Sequence, residues 1–167
     1  MANESPFKHL TAKQSTKGLQ KREVAFDKKC GEILQRKLGL WNYKPHERAQ
    51  PGIPDRYIVG GNWIEFKHMT FFMTKPKEIL GAKSRKAFSV PQVRKLDALL
   101  QAGDRPFVCV LVSSPVRERV WIEQWDRFKL DPVMTAEKFN LHLHDNALAA
   151  LSSVFDRKLE RNSLWTR

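Results

Sequence analysis

The sequence predicts an α/β domain: a small mixed β-sheet flanked by helices. Three observations predict it. An amphipathic helical stripe runs from Arg22 to Leu38, and two short alternating segments follow at 52–67 around a Gly-Gly-Asn turn. A second helical stripe, opening at Ser89, leads into the continuous apolar run Phe107–Val112. Such a β-rich run suits a strand covered on both faces, as in a sheet flanked by helices.

In the first stripe Phe26, Cys30, Ile33, Leu34 and Leu38 follow the i, i+4, i+7, i+8 rhythm of one buried face, and Gly39 supplies a stop. Glu23 sits at the N-terminal end of that face, where a carboxylate can reach a site at the edge of the core. Glu32 lies beside the stripe and is expected to be solvated. Residues 1–20 carry Lys8, Lys13 and Lys17 with little apolar periodicity, so a basic flexible arm is expected. Leu40–Gln50 is expected to be a loop. Its Trp41, Tyr43, Lys44, His46, Glu47 and Arg48 suit either a nucleic-acid clamp or the seal of a sheet edge.

The segment from Gly52 to Lys67 organises the chain. Alternation puts Trp63, Glu65 and Lys67 on a polar face of the second strand and Ile64 and Phe66 on its core face. Register decides whether Asp55 joins them. A two-residue Gly60-Gly61 turn would pair Val59 with Asn62 and send Asp55 and Glu65 to opposite faces. A three-residue turn, Gly60-Gly61-Asn62, pairs Val59 with Trp63 and Asp55 with Lys67, uniting Asp55, Glu65 and Lys67. The longer turn is predicted, with Asn62 at positive φ.

Beyond the hairpin, residues 68–90 set Lys75, Lys77, Lys83, Arg85 and Lys86 against Glu78 alone. These cations, with Arg48, are the expected contacts to a nucleic-acid backbone, while Phe71, Phe72 and Met73 would anchor part of the segment. Ser89 and Gln92 have capping-box spacing, with Pro91 in the first turn and Val93, Leu96, Leu99 and Leu100 as the buried stripe. Val116–Glu123 reads as a strand, Gln124–Phe128 as a short helix and Leu141–His144 as an edge strand. Asp145 is expected to cap a last helix, about 145–160, with Leu148, Leu151, Phe155 and Leu159 inward. The expected division is arm 1–20, core 21–127 and C-terminal extension 128–167.

Composition narrows the partner. The 167 residues carry 30 Lys+Arg against 18 Asp+Glu, a net charge of +12, which favours a polyanion. No apolar run is long enough to cross a bilayer, and the N-terminus has no signal-peptide core. The two cysteines suit buried thiols in a reducing compartment. An intracellular location is therefore expected, in cytoplasm or nucleoid, or in host cytoplasm if the chain is viral.

Two carboxylates on neighbouring strands, Asp55 and Glu65, offer hard oxygen donors to Mg²⁺, and the Phe66 carbonyl can add a third. A lysine beside them can orient water or steady developing charge in phosphodiester hydrolysis. With these residues, Pro54-Asp55 … Glu65-Phe66-Lys67 resembles the PD-(D/E)xK nuclease superfamily. The set Gly-Ile-Pro-Asp … Ile-Glu-Phe-Lys … Val-Pro-Gln-Val … Leu-Leu-Gln-Ala-Gly is most similar to its virus-type replication-repair nuclease (VRR-NUC) branch and junction-resolvase relatives, over about residues 22–112. The resemblance implies a restriction-endonuclease-like core of α-β-β-β-α-β type. It implies Asp55, Glu65, the Phe66 carbonyl and a helical Glu (Glu23, with Glu32 in reserve) at the metal. Lys67 would position water, and Gln92 would touch that water or the phosphate. The segment between Lys67 and Gln92 is longer than in compact members. The implied activity is a Mg²⁺-dependent endonuclease on DNA, with Mn²⁺ able to substitute. It would be site-specific (homing- or restriction-like) or junction-resolving, and a homodimer or higher homo-oligomer. The alternative is a non-catalytic nucleic-acid-binding module on the same fold.

Overall fold

Eight residues of unbroken burial fix the centre of the sheet: every residue of strand β4 (Arg105–Ser113) after Arg105 is buried. The computed structural model describes residues 15–45, 51–70, 88–113, 116–130 and 140–155. The six described strands are β1 (Asn42–Tyr43), β2 (Arg56–Ile58), β3 (Asn62–Thr70), β4, β5 (Glu118–Gln124) and β6 (Leu143–His144), and they lie in sequence order across one sheet. Only β3 and β4 run parallel; the other neighbours are antiparallel. The four described helices are α1 (Ser15–Arg36), α2 (Val90–Gln101), α3 (Trp125–Leu130) and α4 (Ala147–Phe155).

Strand β4 sorts its side chains between two cores. Phe107, Cys109 and Leu111 meet Phe26, Cys30 and Leu34 of α1 and Ala150, Leu151 and Phe155 of α4. Val108, Val110 and Val112 meet Leu96 of α2 and Trp125 and Phe128 of α3. The molecule is thus a mixed α/β fold with helices on both faces of a mostly antiparallel sheet. Both cysteines are buried free thiols. No described helix is long and apolar enough to cross a membrane.

Several local expectations change. Helix α1 begins at Ser15, so residues 15–20 belong to it rather than to the arm. Residues 42–43 form a short edge strand within the expected loop, because β2 offers an open edge that their backbone can pair. The last helix is capped by Asn146, whose Oδ1 accepts from Ala149 N at 2.9 Å, not by Asp145. Asp145 instead faces Arg117 at 3.7 Å and Arg119 at 3.8 Å. One residue of shift also rotates the stripe: Ala147, Ala150, Leu151 and Phe155 are buried, while Leu148 is 41% exposed. Lys8, Lys13, His46, Glu47, Arg48, Phe71, Phe72, Met73, Lys75, Lys77, Glu78, Lys83, Arg85, Lys86 and Leu159 lie outside the described residues.

The hairpin also closes differently. Its ladder pairs Ile58 with Asn62, Tyr57 with Trp63 and Arg56 with Ile64. The loop has three residues, as predicted, but they are Val59, Gly60 and Gly61. The two glycines take the positive φ values, 93° and 74°, and no described residue other than glycine does so. Glycine bears that conformation at no steric cost, so it displaces Asn62 from the role. Asn62 joins β3 and braces the loop, its Nδ2 donating to the Val59 and Gly60 carbonyls at 3.2 and 3.3 Å. Parity survives the shift: the register continued by one residue sets Asp55 opposite Glu65.

Gly52 does a second job. Its φ is +82°, and a Cβ there would lie 2.4 Å from the Pro91 carbonyl carbon and 2.7 Å from Gln92 N. The loop before Asp55 is therefore seated directly on the first turn of α2. Gly39, also at positive φ (+66°), faces open space. Gly52→Ala is expected to cost about 2–4 kcal/mol in urea unfolding, and Gly39→Ala about 1 kcal/mol. Equal losses at the two positions would remove the contact from the account.

Candidate active site

Strand β3 outruns its partner. The recorded ladder with β2 ends at Ile64, whereas β3 continues to Thr70 along β4. Past Ile64 the freed edge of β3 needs other acceptors. Asp55 supplies one: its Oδ2 accepts from Phe66 N at 2.7 Å. A side chain thus takes over where the backbone ladder stops, which draws the Asp55 carboxylate against β3 beside Glu65.

Glu65 lies opposite Val108 and Lys67 opposite Val110, so both point to the face covered by α2 and α3. The face expected to be polar is enclosed: Glu65 is 1% exposed. A carboxylate at that depth needs partners. Lys67 Nζ donates to Glu65 Oε1 at 2.6 Å, and Gln92 Nε2 donates to the same oxygen. The capping box orients the Gln92 amide. Its Oε1 accepts from Ser89 N at 3.0 Å, leaving the NH₂ end for Glu65.

Lys67 also stands 3.7 Å from Glu23 on α1 and 5.2 Å from the centroid of the Phe88 ring. Glu32 is exposed on the far part of the helix. Of the two helical carboxylates, Glu23 is the one beside the strand residues. Asp55, Glu65, Lys67, Gln92 and Glu23, drawn from four segments of the chain, therefore stand together.

Three carboxylates here surround the Lys67 ammonium, with Lys44 acting more weakly on Glu23 and Asp55. Burial, reinforced by Asp55, raises the Glu65 carboxyl to about 8, with Lys67 opposing the shift. Burial also raises Asp55 and Glu23, in each case against the pull of Lys67. Burial alone would lower Lys67, but Glu65, Glu23 and Asp55 together hold it above its usual value. The cluster has more negative charge than its own cation balances.

As placed, no group of three His, Cys, Asp or Glu side chains among the described residues is close enough to hold a metal ion. The donor chemistry nonetheless fits a hard cation. Asp55 and Glu65 each spend one oxygen on a protein donor; Asp55 Oδ1 and Glu65 Oε2 have no hydrogen-bond partner among the described residues. Two carboxylates and the intervening Phe66 carbonyl are the oxygen set that Mg²⁺ takes. Comparison with protein-family models and with curated proteins finds no match for the chain.

A second buried cluster supports the first and was missed in the sequence. Asp27, 4% exposed, accepts from Lys44 Nζ at 2.8 Å and from Arg56 Nε at 2.9 Å. Arg56 Nη1 donates on to Asn42 Oδ1 at 2.7 Å. Asp27 thereby ties α1 to β1 and β2 one residue from Asp55. The available signal was the spacing Glu23, Asp27, Gly31 along one line of α1. A Cβ on Gly31 would lie 2.5 Å from the Arg56 guanidinium, so that glycine makes room for the arginine. His68, next to the motif, bonds Ser113 Oγ at 2.8 Å and takes no part in the cluster.

The raised carboxyls give stability a definite pH dependence. Folded Glu65 keeps a proton that the unfolded chain releases near the usual 4.5. Stability from this source is complete below that value and is lost as pH rises through about 8. Asp55 and Glu23 act with the same sign, and Lys67 titrates above this window. In chelator-containing buffer Tm is expected to fall between about pH 5 and about pH 8.5, with on the order of 2 kcal/mol lost. Glu65→Gln should flatten that fall; an unchanged slope in the variant would show that Glu65 is not its source.

Proposed function

We propose that this chain is a Mg²⁺-dependent endonuclease that hydrolyses DNA phosphodiester bonds, built on a restriction-endonuclease-like core of the PD-(D/E)xK kind. One observation carries the reading: Asp55, Glu65, Lys67, Gln92 and Glu23 meet at the end of the β2–β3 ladder, in a cluster with surplus carboxylate charge. Ion-pair stabilisation alone would need one carboxylate for Lys67. A net charge of +12 supports a polyanionic substrate.

Asp55, Glu65 and the Phe66 carbonyl would hold the Mg²⁺, with Glu23 at the margin of the same site. The bound ion would polarise the phosphate and neutralise charge that builds on its oxygens. Lys67, held by Glu65 and Glu23, has its ammonium fixed in a desolvated site, where a cation stabilises a developing oxyanion strongly. Its raised pKa keeps it charged, so it serves as an electrostatic and orienting group rather than a proton acceptor. Gln92 holds one Glu65 oxygen and leaves the other for the cation. Cutting both strands of a duplex with one such site per chain calls for a homodimer or higher homo-oligomer.

The second reading is a nucleic-acid-binding module on the same fold without turnover. The direct Glu65–Lys67 bond favours it, since a closed ion pair needs no cation. Supercoiled, branched and single-stranded DNA, each with Mg²⁺, Mn²⁺ or chelator, separate the two. Metal-dependent cleavage is expected with either ion. Lys67→Ala and Asp55→Asn are each expected to lower the rate at least ~100-fold, and Gln92→Ala about 10-fold. Absence of product from all three DNAs, or product undiminished in both severe variants, leaves the binding module as the better description.

A further inference from the structure

A row of aromatic rings crosses the sheet beside the candidate site. Tyr43 of β1 pairs with Tyr57 of β2, and Tyr57 pairs with Trp63 of β3, so the three stand as cross-strand neighbours. Their ring centroids are 5.5 Å apart for Tyr43–Tyr57 and 4.9 Å for Tyr57–Trp63. Trp41 extends the row, 5.4 Å from Tyr43 and 6.3 Å from Tyr57.

The row has a fixed inner half and a displayed outer half. Trp63 Nε1 donates to Asp104 Oδ2 at 2.8 Å, and the Tyr57 hydroxyl accepts from Gly61 N at 3.4 Å. Trp41 and Tyr43 are 59% and 43% exposed. A ring that served only to seal the sheet edge would be covered; these two rest on the inner pair and present their outer surfaces to solvent. Adjacent rings are tilted rather than parallel, so the row offers separate stacking surfaces.

Position selects the occupant. Trp63 shares its strand face with Glu65 and Lys67, and the step from Trp63 to Glu65 is about 7 Å, a length that one extended nucleotide spans. A paired base is already stacked within its duplex, whereas an unpaired base can give its face to an aromatic side chain. The +12 charge of the chain supplies the attraction for the connecting phosphates.

Resting on the nuclease reading above, we propose that Trp41 and Tyr43, backed by Tyr57 and Trp63, are a stacking platform for unpaired bases a few nucleotides from the scissile phosphate. The substrate class is then DNA with a single-stranded segment (a flap, fork or open branch) rather than continuous duplex.

Anisotropy of a fluorescein-labelled oligothymidine of about a dozen nucleotides, and of a blunt duplex of equal length, tests this on the full chain in chelator. Trp41→Ala is expected to weaken oligothymidine binding roughly tenfold and Trp41→Ala/Tyr43→Ala roughly a hundredfold, with duplex binding held within about twofold. The loss should leave the salt dependence of affinity unchanged, because stacking releases no counterions. Trp41→Phe should recover most of the affinity, which a folding defect would not allow. The proposal is overturned if the double variant binds oligothymidine like the parent, or if both DNAs lose equally. It is also overturned if sedimentation shows loss of self-association with DNA affinity intact, since the rings would then join copies of the chain. Cleavage that still requires Lys67 while these tests fail removes the platform and keeps the nuclease. Selective oligothymidine binding through Trp41 without any cleavage does the reverse.

Discussion

The buried carboxylate of Glu65 is the constraint around which the surrounding elements are arranged. Leaving an ionised group at that depth without partners would cost several kcal/mol, so its neighbours are obligatory. Lys67 meets it from the same strand and Gln92 from α2, whose first turn is shaped to aim the amide. An apolar residue beside Val108 would pack with less expense. A sheet that keeps an acid there, with two further carboxylates close by, gives up stability for charge density at one point.

Much of the frame was legible because it rests on local periodicity. The stripe from Phe26 to Leu34, the Ser89–Gln92 box and the run from Phe107 to Val112 each state their own structure over a few residues. Asp55 and Glu65 could be brought to one face by counting alone, since the number of loop residues fixes parity. What counting could not settle was which three residues form the loop. That depended on the preference of two glycines for positive φ against the tolerance of an asparagine. The same kind of near-tie decided the cap of α4, where Asp145 and Asn146 are both competent and differ by one residue of phase.

The Asp27–Arg56–Lys44 cluster illustrates the opposite case. Lys44 and Arg56 lie 17 and 29 positions from Asp27, and no periodic rule links a helix residue to a particular strand residue. On sequence alone Asp27 is one more charge on a basic helix. Enclosed, it becomes the joint between α1 and the strand that Asp55 immediately precedes. Strand β1 was hidden for a related reason: two residues are too few to alternate, and only the open edge of β2 makes them a strand.

The close approach of Gly52 to Pro91 and Gln92 bears on how the chain can tolerate change. Nineteen residues separate Thr70, the end of β3, from Val90, the start of α2. The helix takes its bearings from the loop before Asp55, so two arms of the site are indexed to each other by backbone contact. A side chain at position 52 would push these two arms apart, so the single methyl group forbidden there marks where natural variation and engineering alike have no room.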